Sequence, residues 1–313
     1  MSLSISRANL PGSGAPKITY NGVTLWTRAD LMLPLKHTLK EQISAMYGRV
    51  TKTREGRKIE INIPVYGFWS NLNVLFPAYI LGFQRGARIF GTTDVPMTLI
   101  ARNGDKIVIK NVQVTGLANL KLKANEQIFS ADLKCTALIC NNGSPTDANS
   151  YYTLTTAQAY TEGDFPQANF KSIAWSGAWG ARTGFTNILT QEGWDLTWEV
   201  KTTDDLVDGI GPVDMFMEQF WASCAAIVVG PTLEQLDAAV NFQGTNAAVG
   251  ADIAADSDNL VLTDGTATLT LTKAAMIETG LVFAPSKKRI GKTVWECTQG
   301  FAAGAPVATV SVT

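Results

Sequence analysis

Four cysteines and a single histidine are the residues of this 313-residue chain best suited to nucleophilic or metal chemistry. Cys135, inside "ADLKCTALI" (131–139), is a ligand, a nucleophile, half of a disulfide, or a small apolar residue of a strand. Cys140 stands close after it, while Cys224 and Cys297 are far along the chain. No Cys-x-x-Cys pair occurs, so neither a disulfide framework nor a zinc site is expected. A Ser-His-Asp or Cys-His mechanism would have to use His37, which sits in the alternating pattern "LPLKHTLKE" without a nucleophile elbow. The glycines of "GFQRGARIFG" (82–91) fit neither phosphate-binding loop pattern. Trp175, Trp179, Trp194 and Trp198 are dense enough to read either as core or as a platform for sugar rings. The expectation is a protein that is not an enzyme and uses no cofactor or metal.

Charge supplies the remaining candidates. "GRVTKTREGRK" (48–58) carries Arg49, Lys52, Arg54, Arg57 and Lys58 against Glu55. It reads as a basic loop, either solvated or facing an acidic surface on a neighbouring subunit. "EVKTTDDLVDG" (199–209) carries Asp204, Asp205 and Asp208, without the spacing of a calcium-binding loop. If the two loops occupy matching places, one is basic and the other acidic, a pattern suited to setting register between stacked subunits.

The elements that position these residues read twice along the chain. Asn103-Gly104 and Asp264-Gly265, at an offset of 161, each divide two alternating segments, which predicts hairpins. Ile128, Cys135 and Thr136 match Ile290, Cys297 and Thr298 at an offset of 162. Pro64, Val65 and Phe68 match Pro212, Val213 and Phe216 at 148, and Trp26 falls near Trp175 at 149. Placing the difference in offset at 233–246 makes that stretch an insertion. Trp69, Leu72, Leu75 and Phe76 have helical spacing, and the matching helix of the second copy is expected at about 214–226. The fold class is therefore mainly β: two tandem β-sandwich or small-barrel domains, each with one flanking helix. The expected divisions are an extended N-terminal arm (1–17), a first domain (18–142), a linker (143–150) and a second domain (151–313).

At 46% hydrophobic residues and a net charge of −1, the chain can bury two cores and does not hold nucleic acid by its overall field. No run of ~18 apolar residues predicts a transmembrane helix, and the first residues lack the apolar stretch of a signal peptide.

"LWTRADLMLPLKHTLKEQISAMYGRVTKTREGRKIEINIPVYGFWSNLNVLFP" followed by "IFGTTDVPMTLIARNGDKIVI" resembles the tail tube proteins of long-tailed bacteriophages over about residues 20–140. That resemblance implies a β-sandwich with a flanking helix and bridging arms. It implies rings, usually sixfold, that stack around a channel for DNA, and no cofactor. Implied partners are other copies of the chain, with tape-measure, terminator and distal-tail proteins. DNA is met only in transit, and the location is the virion tail, assembled in the host cytoplasm without membrane insertion. Because the chain reads twice, a ring of three two-domain subunits is expected. The alternatives are another ring-forming tail part, such as a terminator or distal-tail hub, and a carbohydrate-binding β-sandwich.

Overall fold

The computed structural model describes residues 16–27, 31, 33, 38–55, 58–81, 85–90, 95–101, 104–123, 128–138, 140–141, 144–145, 152–155, 175–180, 185–207, 211–229, 257–265, 267–284, 287–297 and 308–312. His37, Arg57, Asp208, the expected N-terminal arm up to residue 15 and the stretch 233–246 lie outside them.

The chain is mainly β. In order, its strands are β1 (Lys17–Tyr20), β2 (Val23–Thr27), β3 (Thr38–Ser44), β4 (Gly48–Glu55), β5 (Lys58–Phe68), β6 (Met97–Ile100), β7 (Lys106–Ile109), β8 (Val112–Leu122), β9 (Ile128–Leu138), β10 (Cys140–Asn141) and β11 (Ser144–Pro145). There follow β12 (Tyr152–Thr155), β13 (Ser176–Trp179), β14 (Thr190–Val207), β15 (Gly211–Val228), β16 (Asp258–Thr263), β17 (Ala267–Glu278), β18 (Leu281–Ala284), β19 (Lys287–Ile290), β20 (Lys292–Cys297) and β21 (Ala308–Val312). A 3-10 helix, Trp69–Leu75, and one α-helical turn, α1 (Ala78–Leu81), follow β5. No helix among the described residues is long and apolar enough to cross a membrane.

Alternation sets the strands. In β5 the residues Ile59, Ile61, Ile63 and Val65 are buried while Glu60 and Asn62 face out, the period-2 pattern of a sheet with one covered face. The turn at Asn21-Gly22 is a two-residue loop with positive φ at both positions (48° and 76°), as a type I′ hairpin requires. The later hairpins are longer than the two-residue turns expected from Asn-Gly and Asp-Gly. Ile100 pairs with Lys106, and Thr263 with Thr268.

One sheet of 15 strands runs β12-β7-β6-β1-β2-β5-β9-β8-β14-β15-β20-β17-β16-β13, with β21 on β17. The pairing repeats between the first half (through Thr155) and the second (from Trp175). Lys17 pairs with Ile100, and Ala178 with Val261; both partners have moved by the same offset, 161, that separates the Asn-Gly and Asp-Gly turns. Val114 pairs with Cys135, and Ala275 with Glu296; again both moved by 161. Ile63 faces Leu133 and Ala225 faces Val294, shifts of 162 and 161. A late strand returns to each half's hairpin: β12 to β7, and β21 to β17.

This ladder corrects the sequence alignment upstream. The Pro-Val matches at offset 148 are not equivalent positions: Pro64 lies within β5, whereas Pro212 opens β15. Nor is Trp26, in β2, equivalent to Trp175, which precedes β13. No long insertion is needed, because the gaps Phe68–Met97 and Val228–Asp258 are nearly equal in length. The helix expected at 214–226 is instead the strand β15, with Ala222, Cys224, Ala226 and Val228 buried in alternation.

The halves meet edge to edge. Trp194 pairs with Leu122, Asp195 with Lys121, Leu196 with Leu120, and Trp198 with Leu117, joining β14 to β8. Buried side chains of both halves form one hydrophobic cluster. Aromatic rings cross the junction: Trp69 lies 5.0 Å from Trp175 and Phe76 6.2 Å from Trp198, centroid to centroid. The short helical stretch expected near Trp69 therefore holds the seam, as a 3-10 helix whose Trp69, Leu72, Val74 and Leu75 are buried.

Candidate assembly surfaces

Among the described side chains, Cys135 and Cys224 are buried and Cys297 is half-buried. Burial pushes the Cys135 thiol from 9.0 up to about 12. Cys224 is raised well above 9.0 by burial, then by the nearby Asp195 and Cys297. Cys297 reaches about 12 through burial and the charge of Glu296. Thiols so placed are poor nucleophiles, since the thiolate is the reactive form. No group of three metal-ligating side chains occurs among the described residues. Trp175, Trp179, Trp194 and Trp198 are buried, with Trp179 donating its indole N–H to the Ala274 carbonyl (2.8 Å), so none presents an open ring face.

What remains is the pairing of the strands and the charge along them, clearest at the seam. β14 and β15 form one long hairpin of the second half, and the first half covers both of its flanks. β8 pairs along β14. On β15, Gly86 N–H donates to Met217 O (2.7 Å), Met217 N–H to Ala87 O (3.0 Å) and Ile89 N–H to Met215 O (2.9 Å), so residues 86–89 add an isolated antiparallel bridge, Arg88 to Phe216.

Charge on this seam is polarised. Lys58 meets Asp204 at 2.9 Å, Arg88 meets Asp205 at 3.1 Å, Lys134 meets Glu199 at 2.9 Å, and Lys121 contacts Asp195. In each pair the base belongs to the first half and the acid to the second. Solvent-accessible pairs such as these contribute only ~0.2–1 kcal/mol each; their effect is to favour one register. Asp214 differs, because it is buried. Its Oδ1 accepts N–H groups from Phe90 (3.0 Å) and Met215 (2.7 Å), and Arg88, whose guanidinium lies 5.4 Å over the Phe216 ring, approaches at 3.9 Å.

The charged residues singled out from sequence thus divide. Lys58, Asp204 and Asp205 are engaged within the chain, pairing across the seam. Arg49 pairs with Glu41 at 2.6 Å on its own hairpin. Lys52 and Arg54 stand in β4 opposite Glu41 and Leu39. Residues 48–55, read as a basic loop, are therefore a strand. The tip of the β3–β4 hairpin is Ala45–Tyr47, and it is apolar. Ile43 (73% exposed), Met46 (80%), Tyr47 (77%) and Val50 (59%) cluster there. Sequence reading missed this patch because the bases drew attention away from "ISAMYGRV"; four large apolar residues bracketing a Gly turn were the available signal.

β3 and β4 pair only with each other among the described strands. Comparison of the chain with protein-family models and with curated proteins finds no match in either.

Proposed function

We propose that this chain is the structural subunit of a bacteriophage tail tube. In this reading two tandem tube domains, one per half, give each chain two of six positions in a ring of three copies. Rings stack around a channel through which DNA passes. The observation that carries the reading is the strand pairing repeated at a shift of 161–162 residues in β1–β6, β8–β9 and β5–β9 and their later counterparts, with the edge of one half already occupied by the other. A sheet that joins two equivalent units edge to edge has the geometry to go on joining them until a ring closes. Further support comes from the exposed apolar hairpin tip, suited to contact with an adjacent ring, and from a net charge of −1, which favours release of DNA over its retention. The neighbours of such a tube would be tape-measure, terminator and distal-tail proteins in the virion tail.

Negative-stain microscopy of the purified chain tests this. Tubes whose rings have threefold order are expected. Isolated closed rings would favour a terminator or distal-tail hub, and dispersed monomers that bind glycan would overturn the tube reading.

A further inference from the structure

At one end of the seam the two halves together line a cleft of about 840 Å³, a volume in the range of ordinary ligand sites. The end of β8, the start of β14, the end of β15 and the start of β20 meet there. The register orders the side chains. Leu122, Trp194, Ala226 and Thr293 form one row across the four strands, and all are buried on the core side. The rows to either side of it face the opposite way, because side chains alternate along a strand. One of them is Lys121, Asp195, Ala225 and Val294, in which Lys121 contacts Asp195. In the other, Ile227 stands opposite Lys292 on β20. Lys123, two residues on from Lys121, holds the far end of that row, and β14 passes between at Gly193, which adds no side chain.

The outer face thus offers a half-buried apolar centre, Ala225 and Ile227, between two exposed lysines. Neither Lys123 nor Lys292 forms an ion pair with a described residue. Beyond the Lys121–Asp195 pair, Glu192 is the one acid among the described lining residues. Three strand spacings of ~4.8 Å put the two lysine backbones about 14 Å apart. In an extended peptide, side chains four residues apart share a face and are also separated by about 14 Å, with the residue midway on the same face. We propose that this cleft binds an acidic segment of a partner protein, laid across the strand ends in extended form. Two carboxylates four residues apart meet Lys123 and Lys292, and an apolar side chain midway between them rests on Ile227. Exposed Leu189 and Val229 at the closed end widen the apolar contact. Such binding does not depend on whether the chain forms tubes.

The test uses the full chain and a fluorescent, end-blocked peptide of seven residues, with glutamate second and sixth and leucine fourth. Fluorescence anisotropy at low salt is expected to show saturable binding. Lys123→Gln with Lys292→Gln should weaken it by roughly tenfold. Both lysines are exposed, and circular dichroism with thermal unfolding checks that the variant folds. On wild-type protein, which needs no substitution, a peptide of the same composition with its glutamates adjacent should bind several-fold more weakly. Equal binding of the two peptides would reduce the effect to a general attraction of charge and overturn the proposal. So would displacement of the peptide by an equal concentration of free succinate, the mark of a small-anion site, or no binding at millimolar peptide. Each of these results leaves the tube reading as it was.

Discussion

Cys135 and its buried companions give the molecule a predictable alkaline response. A thiol whose folded pKa is raised holds its proton while the unfolded chain releases it. Stability is then fully present below about pH 9 and declines as pH rises toward 12, by at most ~1.4 kcal/mol per pH unit for each thiol. Urea midpoints measured from pH 8 to 11 should fall, and Cys135→Ala should make the decline shallower. Asp214 is the other residue that decides something. Asp214→Ala leaves the Phe90 N–H without its acceptor inside the seam, and a loss of about 1–3 kcal/mol is expected. Asp214→Asn, which keeps an acceptor, should lose less; chemical denaturation compares them. The thiols were legible in the sequence as core because no partner stood at catalytic or metal spacing. Asp214 was not. Nothing in "GPVDMFM" distinguishes an aspartate that caps a neighbouring strand from one facing water.

At the level of elements, the hairpins and the Ile-rich β5 could be read directly, since period-2 alternation is a local signal. β15 could not. "MFMEQFWASCAA" is rich in good helix formers, and propensity favours a helix. The strand prevails because its partners, β14, β20 and residues 86–89, satisfy its backbone along both edges, and those partners lie far off in sequence. The short repeats misled for a related reason: a Pro-Val pair records nothing about strand register, whereas paired positions do. Gly193 marks where the seam begins. Its φ is +83°, and a Cβ there would run into the backbone carbonyl of Leu122. Gly193→Ala should therefore strain the joint by at least ~1 kcal/mol, lowering the thermal midpoint, while Gly265→Ala, equally positive in φ but in open space, should lose only the conformational term.

Over the whole molecule the ionic seam and the apolar tip of β3–β4 separate two kinds of contact by their response to salt. At ~1 M, where the screening length falls to about 3 Å, the pairs Lys58–Asp204, Arg88–Asp205 and Lys134–Glu199 should lose their small contribution and the thermal midpoint should fall slightly. Stacking through Met46 and Tyr47 of the tip should persist or strengthen over the same range. Microscopy across a salt series would then show tubes of unchanged length; shortening would place charge in the stacking contact and contradict its apolar character.

The pairing of β8 with β14 also has a kinetic meaning. Because one covalent chain carries both partners, that joint closes by an intramolecular step at the effective concentration set by the connecting segment, however dilute the protein. In the proposed ring, three such chains need only two encounters in solution, where six separate units would need five. Its nucleation therefore varies as about the third power of chain concentration rather than the sixth. On the proposed reading, a chain that carries both units would begin assembling at concentrations where free single units would still be searching for partners.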